Sequence, residues 1–177
     1  NWSTPMKLVS GLSVDAASVA SASRKPTVTT PTQGLSAGAT VDGTKPVVRV
    51  SWTGRDVGSG IARYEVSQST AGGAWVSLTT TTRSSSLSRA LAAGSDYRFR
   101  VRAIDNAGNA SPWAYGATFH IDAYSEASGR VTYAGTWGKS SNSTFMGGWT
   151  RYSGSAGARA TFTFTGRSVA WAAPKGP

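Results

Sequence analysis

The sequence predicts an all-β protein that folds as a sandwich of β-sheets. Runs rich in β-branched and aromatic residues recur about every 8–12 residues, separated by clusters of Gly, Asn, Asp and Pro. Several runs alternate apolar and polar residues, which is typical of strands with one buried and one solvated face. Helix signals are nearly missing, because the one candidate, SVDAASVASAS at residues 13–23, has a poor helical period.

The first clear strands lie at residues 47–52 and 61–68, which read VVRVSW and IARYEVSQ. Their inward-facing residues are predicted to be Val48, Val50 and Trp52 in the first strand, and Ala62, Tyr64 and Val66 in the second. The residues predicted to face solvent in the second strand are Arg63, Glu65 and Ser67. STAGGAW follows, and its Gly-Gly pair predicts a hairpin turn.

Three later runs complete the predicted sandwich. SSSLSRAL at residues 84–91 is the least regular, because Arg89 is in phase with leucines. YRFRVRA at residues 97–103 carries an arginine at every second position, opposite a set of inward residues, Tyr97, Phe99, Val101 and Ala103. ATFHID at residues 117–122 places His120 on the solvated side, between two inward residues, Phe119 and Ile121.

Three segments in order, VRVSWTGRD, GIARYEVSQS and LAAGSDYRFRVRAIDNAGNASPW, resemble a fibronectin type III domain. The resemblance covers about residues 26–123 and implies an immunoglobulin-like sandwich of seven strands in two sheets. It also implies a core position for Trp52 and a tyrosine corner formed by Leu91, Gly94 and Tyr97. Ala93 departs from the family, because many members have proline there. RAIDNAGN resembles the bacterial variant, and the sequence contains no Arg-Gly-Asp tripeptide that would support integrin-type adhesion.

The remaining segments predict parts of other units. Residues 124–177 are similar to the first half of a jelly-roll-like β-sandwich, and we expect them to be an incomplete, truncated domain because such sandwiches usually need over ~100 residues. Phe162 and Phe164 alternate with threonines, and Val169 and Trp171 follow in phase. Residues 1–25 are predicted to be a linker or the tail of an upstream domain, with a slight similarity to a propeller-like or sialidase-like blade.

Composition points to a bacterial exported protein. Cysteine is absent, which excludes disulfides, thiolate nucleophiles and cysteine metal sites, whereas Ser, Thr, Ala and Gly are abundant. The net charge of +10 would attract anionic partners, but the basic residues are scattered singly, so we predict no nucleic-acid binding. No apolar run approaches the ~20 residues that span a bilayer, so we predict no membrane insertion.

The sequence offers little for catalysis, and we predict no enzyme activity, no cofactor and no metal. The single histidine, His120, has no second histidine or cysteine as a partner, and no activated-serine motif accompanies it. Most of the eight acids lie in predicted turns, where they cap backbone groups. DNAGN at residues 105–109 offers one acid and two amides, which is a weak calcium signal.

Two sets of residues are candidate ligand contacts. Arg98, Arg100 and Arg102 form either a solvated strand face, with Glu65 pairing across the sheet, or a contact strip for an anionic polymer. Trp137 and Trp149 lie beside glycine-rich loops and could be sugar-stacking platforms, or rings that a missing half-sandwich should cover. Trp52 and Trp171 are in phase with core residues and are predicted to be structural.

These observations predict a non-catalytic, extracellular or cell-surface spacer or interaction module of a larger exported bacterial protein. Its expected partners are neighbouring domains of the same polypeptide. An alternative is a carbohydrate-binding accessory module of a secreted glycoside hydrolase or sialidase-like protein, with polysaccharide as partner. A third possibility is a basic surface domain that holds an anionic cell-wall polymer through its arginines.

Overall fold

The computed structural model describes residues 23–39 and 45–173, so the helix candidate at residues 13–22 and nearly all of the upstream tail lie outside the described residues. Within those two ranges the chain forms fourteen β-strands and no helix, which confirms the all-β prediction. In chain order the strands are β1 (Thr27–Val28), β2 (Thr32–Leu35), β3 (Val47–Ser51), β4 (Gly54–Arg55), β5 (Ile61–Thr70), β6 (Val76–Thr82), β7 (Ser86–Ala90), β8 (Ser95–Asp105), β9 (Ala114–Tyr115), β10 (Phe119–Ile121), β11 (Val131–Ala134), β12 (Gly138–Ser141), β13 (Trp149–Tyr152) and β14 (Arg159–Phe162).

The first ten strands form the two layers of a sandwich. One layer is the antiparallel sheet β2-β3-β7, with the short pair β1-β4 beside it. The other layer has the order β10-β8-β5-β6, and β9 also pairs with β8. The long central strands β5 and β8 pair over most of their length, which places Glu65 opposite Arg102 and Ser67 opposite Arg100.

The prediction of seven strands corresponds to seven strand paths, three of which are interrupted: β1 with β2, β3 with β4, and β9 with β10. Pro31 lies buried between β1 and β2, where it cannot donate a backbone hydrogen bond. After β3 the chain changes partner, because the Trp52 N–H donates to the Ser85 carbonyl and the Thr53 N–H donates to Thr29 Oγ1.

The core lies between the two layers and is built from the inward residues of the alternating runs. Its buried hydrophobic members are Val48, Val50, Trp52, Tyr64, Val66, Leu91, Tyr97, Phe99, Val101, Ala103 and Ile121. Phe119 is half-buried and packs against this cluster, and its ring stacks on Phe99 with centroids 6.1 Å apart. The alternation rule therefore located the core correctly except at Ala62, because the hydrophobic sets of both layers must face each other. Ala62 is only half-buried and lies at a register shift of the β5–β8 pairing.

Two bends follow the sequence closely. The Tyr97 hydroxyl donates a 2.9 Å hydrogen bond to the Ala92 carbonyl, and Gly94 between them has φ +82°, so the predicted tyrosine corner is present. The predicted hairpin joins β5 to β6, but its central residues are Ala71 and Gly72 rather than the Gly72-Gly73 pair. Their φ values of +50° and +70° match a type I′ turn, which the Gly73 N–H closes by donating to the Thr70 carbonyl at 2.9 Å.

Two predictions about burial were wrong. Ser67 was expected to be solvated, and it does lie on the outer side of β5, yet it is 5% exposed because large side chains cover that side. Trp171 was expected to be a structural core residue, but it is 66% exposed, and Val169 is exposed as well. Residues 163–173 form no strand within the described part of the chain, so nothing there gives their alternation a buried side.

Residues 124–173 form two antiparallel pairs, β11 with β14 and β12 with β13. Phe162 and Phe164 stack on each other with centroids 5.9 Å apart, and Phe162 also meets Tyr124 at 5.4 Å. Whether this segment begins a jelly-roll-like sandwich stays a prediction.

Candidate functional site

The outer side of the β5–β8 sheet carries a continuous row of arginines and aromatic rings, which we call the arginine–tryptophan face. Its members are Arg98, Arg100, Arg102, Trp75, Trp113 and Tyr115. Strand alternation puts the three arginines on one side of β8. The rings come from the residues just before β6 and β9 and from β9 itself, which border the same side of the sheet.

Arg100 lies at the centre of this face, between two tryptophan rings. Its guanidinium carbon is 4.6 Å from the Trp75 ring centroid and 4.3 Å from the Trp113 centroid. A planar guanidinium is suited to this position, because its charge is attracted by the quadrupole of each indole and its flat surface can stack on each ring.

The two neighbouring arginines are also engaged within the molecule. The Arg102 guanidinium lies 4.7 Å from the Trp113 centroid, and it donates a 2.7 Å charge-assisted hydrogen bond to Glu65. Arg98 lies 5.2 Å from the Tyr115 centroid and donates its Nε–H to the Gly116 carbonyl at 2.9 Å. The pairing of Glu65 across the strands is therefore confirmed, and the rings cover the sheet beneath.

The sequence indicated the arginines of this face, but not the contribution of Trp75, Trp113 and Tyr115. The signal in the sequence was that an aromatic residue, Trp75, precedes the arginine-bearing strand and two more, Trp113 and Tyr115, follow it. The burial of Ser67 and Ser69 follows from that coverage, because both side chains lie on the covered side of β5.

His120 bridges two carboxylates at the β10 edge. Its Nδ1 lies 2.7 Å from Asp96 Oδ1 on β8, and its Nε2 lies 3.5 Å from Asp122 Oδ1. An acid–base triad would instead need a nucleophile at the second ring nitrogen. The described residues contain no group of three or more His, Asp or Glu side chains placed to hold a metal.

The DNAGN loop uses its carboxylate to close itself. Asp105, which is 2% exposed, accepts hydrogen bonds from the Asn109 backbone N–H at 2.7 Å and from the Asn109 side chain at 2.8 Å. Burial raises the pKa of Asp105, but the hydrogen bonds together lower it by more than burial raises it. The pKa of this carboxyl is therefore below its ordinary value. Both carboxylate oxygens are thus committed to the loop, which disfavours the weak calcium hypothesis.

The two candidate tryptophans of the later segment belong to one chain of contacts. Trp137 packs edge-on against Tyr133 with centroids 5.1 Å apart, and its Nε1–H donates to the Ala134 carbonyl. Arg151 lies 4.4 Å from the Tyr133 centroid and 5.6 Å from the Trp149 centroid, so it joins the two tryptophans. Lys139 lies 4.4 Å from the Trp149 centroid, opposite Arg151 in the β12–β13 pair.

Tyr133 is the titratable group at the centre of this contact chain. Burial and the nearby Glu126 raise the pKa of its hydroxyl, and Arg151 opposes them only in part. The hydroxyl already donates a 3.4 Å hydrogen bond to the Glu126 backbone carbonyl.

Strands β2 to β10 match a known family over nearly all of their length. The model of the fibronectin type III domain matches residues 29–120, which is more than half of the chain. The chain belongs to the fibronectin type III family. Within this fibronectin type III domain lie the tyrosine corner and the whole arginine–tryptophan face, whereas Trp137 and Trp149 lie outside the matched residues.

Curated proteins gave no match to the chain. Among solved structures, the twitchin kinase region from C. elegans (Fn31-NL-kin-CRD-Ig26) is similar, with 24% sequence identity and a TM-score of 0.41. The similarity covers 56% of this chain and only 17% of that chain. Fibronectin type III domains generally act as non-catalytic interaction or spacer modules.

In the described part of the chain, no helix is both long and apolar enough to cross a membrane.

Proposed function

We propose that this fibronectin type III domain is a non-catalytic spacer or interaction module of a larger exported bacterial protein. The observation that supports the proposal best is the arginine–tryptophan face. Its three guanidiniums stack on rings of the same domain, and Arg102 also pairs with Glu65. These contacts stiffen the β10-β8-β5-β6 sheet. Stiffness suits a module that holds the neighbouring domains of its polypeptide at a fixed distance.

The proposed surroundings of the module follow from composition. A chain of 177 residues without cysteine, rich in Ser, Thr, Ala and Gly, fits a bacterial exported protein better than a secreted animal one. We propose domain limits of residues 26–123 for the module and 124–177 for the start of a second sandwich. The partners of the module are then neighbouring domains of the same polypeptide.

The location can be tested with an epitope tag inserted between the exposed residues Arg83 and Ser84, which lie between β6 and β7, in the parent protein. Intact bacterial cells should expose the tag to antibody and to added protease, or the culture medium should contain it. A tag found only after cell lysis would contradict the proposed location.

The spacer role can be tested by replacing residues 26–123 in the parent protein with an unrelated fibronectin type III domain. A spacer predicts that the neighbouring domains keep their activity, because only length and stiffness matter. If activity is lost while both proteins are exported and folded, the domain makes specific contacts and is an interaction module instead. A hydrolytic or transfer activity retained by the isolated chain would contradict both roles.

A carbohydrate-binding role for the later segment is a second candidate. It is favoured by the contact chain that joins Trp137 to Trp149 through Tyr133 and Arg151. Binding on a glycan array that is lost in Trp149→Ala, but kept in the exposed neighbour variant Tyr152→Ala, would support this role. Equal loss in both variants would point to a folding defect and would contradict it.

Binding of an anionic wall polymer through Arg98, Arg100 and Arg102 stays a prediction. Such a polymer would have to compete with contacts that these guanidiniums already make, such as the one from Arg102 to Glu65. Binding that weakens with salt and disappears when all three arginines are replaced by serine would support it.

A further inference from the structure

A shallow groove lies at one end of the arginine–tryptophan face, beside the β5–β6 turn. Its volume of about 420 Å³ is within the ~300–1,000 Å³ range of small-molecule sites. The residues that give it its chemistry are Gly72, Gly73, Trp75, Asp96, Arg98 and Thr118. Arg98 is the one lining residue that the sequence indicated as a candidate ligand contact.

The lining combines the three kinds of group that a polyhydroxylated ring needs. Trp75 contributes a flat, half-buried indole. Asp96 contributes carboxylate oxygens that accept hydrogen bonds, and Arg98 contributes guanidinium N–H groups that donate them. Thr118 can do both with its hydroxyl. Beside them, Gly72 has no atom within 4 Å of where a side chain would begin, so the turn leaves space above the groove.

Hydrogen bonds hold the walls of the groove in place. The Ala71 N–H donates to the Asp96 carbonyl at 2.8 Å, and Ser69 Oγ donates to the Gly73 carbonyl at 2.7 Å. His120 lies 2.7 Å from the Asp96 carboxylate and fixes its direction. The site is therefore ordered before any ligand arrives, which lowers the entropic cost of binding.

The backbone at the turn is also strained. Ala71 has φ +50°, and it is the one non-glycine residue with a positive φ among residues 23–39 and 45–173. Strained residues of this kind concentrate at functional sites.

We propose that this groove binds one pyranose ring of a neutral glycan, with the apolar face of the sugar on Trp75 and its hydroxyls on Asp96, Arg98 and Thr118. The apolar C–H face of a pyranose matches an indole, and its hydroxyls both donate and accept. This site goes beyond the proposed spacer function, and it is distinct from the tryptophans of the later segment.

A neutral ligand is favoured by the charges around the groove. The Asp96 carboxylate in the lining and Asp122 next to His120 oppose an anionic ligand. Arg98 opposes a cationic one, and its Nε–H is already used by the Gly116 carbonyl. A ligand without charge can use the acceptor and the donor together without repulsion from either charged group.

The test uses the whole 177-residue chain in NMR titrations. The probes are neutral oligosaccharides of glucose, galactose, mannose and N-acetylglucosamine, with matched uronic-acid oligosaccharides for comparison. We expect a neutral probe to shift the amide signals of Gly72, Gly73 and Thr118. Trp75→Ala should weaken this binding about tenfold or more, which corresponds to ~1.4 kcal/mol.

Two matched controls separate binding from folding. Trp113→Ala also removes a ring from Arg100 but does not line the groove, and Asp122→Asn also removes a carboxylate from His120. Both controls should keep binding within about twofold, whereas Asp96→Asn should weaken it several-fold, because a pocket group that is lost leaves hydroxyls unpaired.

The proposal is wrong if no neutral probe shifts these signals, if only uronic-acid probes bind, or if Trp113→Ala weakens binding as much as Trp75→Ala. The first result would leave the proposed spacer role intact, because that role is measured by domain replacement in the parent protein. The proposed function and this site can thus fail separately.

Discussion

At the scale of single residues, Tyr97 ties the bend before β8 to the core. Its ring is buried and its hydroxyl donates to the Ala92 carbonyl at 2.9 Å. We expect Tyr97→Phe to lower the free energy of unfolding by about 1 kcal/mol, because it removes a hydrogen bond and leaves a carbonyl unpaired. Urea denaturation measures this, and Tyr115→Phe on an exposed ring should change stability by less than ~0.5 kcal/mol. Equal losses in both variants would mean that the corner hydrogen bond stabilises the domain no more than an exposed tyrosine hydroxyl does.

Ala71 makes the opposite kind of prediction. Its φ of +50° is unfavourable for alanine, whereas asparagine and glycine adopt it readily. Ala71→Asn gives the turn an Asn-Gly pair, and it should raise the free energy of unfolding by ~0.5–1 kcal/mol. The control is Ala107→Asn in the exposed DNAGN loop, which should be neutral or slightly destabilising. A destabilised Ala71→Asn would show that the turn is not of type I′.

Asp105 links stability to pH. The pKa of this carboxyl is lowered in the folded domain, so the ionised form contributes stability that is present above the unfolded pKa of about 3.9. That contribution should be lost as the pH falls through the lower folded pKa. Unfolding measured from pH 7 to pH 2 should show wild type and Asp105→Asn converging at the acid end. A difference between them that is constant over this range would contradict the assignment.

Some residue positions could be predicted from the sequence and others could not. Trp52 and Tyr97 were placed correctly, because each is in phase with several apolar neighbours and the family resemblance gives them a role. Trp171 was misplaced by the same reasoning, since period-two phase has no meaning where no strand forms. Alternation predicts which way a side chain points only where the segment pairs with another strand and one side of the resulting sheet is buried.

At the scale of elements, β8 and its covering rings behave as one unit. Arg100 lies between Trp75 and Trp113, and its Nε is buried with no hydrogen-bond acceptor among the described residues, so stacking holds it. Arg100→Lys keeps the charge but loses the planar contact, and we expect it to cost about 1 kcal/mol of unfolding free energy.

The matched control for Arg100→Lys is Arg63→Lys. Arg63 also faces outward from β5, but its ion pair with the half-buried Glu65 is long, at 3.9 Å, and its own side chain is 42% exposed. Thermal and urea unfolding should place this variant within ~0.5 kcal/mol of wild type. The account would be contradicted if Arg63→Lys lowered the free energy of unfolding more than Arg100→Lys.

The period of β8 indicated which side its arginines occupy, but it could not indicate what covers them. Trp75 and Trp113 lie just outside β6 and β9, where no strand period applies. Their contact with Arg100 depends on three strand pairings, β6 with β5, β5 with β8, and β8 with β9. From the sequence, we considered that these arginines form either a solvated strand face or a contact strip for a polymer. In the structure, rings of the same domain cover them instead.

At the scale of the whole molecule, the all-β architecture and the hydrophobic core followed from the sequence, because several alternating runs agreed with each other. The interruptions of three strand paths did not, since they depend on partner changes such as that of the chain between β3 and β4. The groove beside Trp75 was also out of reach, because it joins a turn, a strand start and a loop that only the folded sheet brings together.

In this fibronectin type III domain, Arg100 lies between two tryptophan rings that cover the outer side of the β10-β8-β5-β6 sheet. The most direct measurement is a carbon-edited NOESY spectrum of the whole chain. We expect the Arg100 δ-methylene protons to show cross-peaks to the indole protons of both Trp75 and Trp113, with upfield ring-current shifts. Arg100 signals at random-coil positions, without cross-peaks to either indole, would contradict the account.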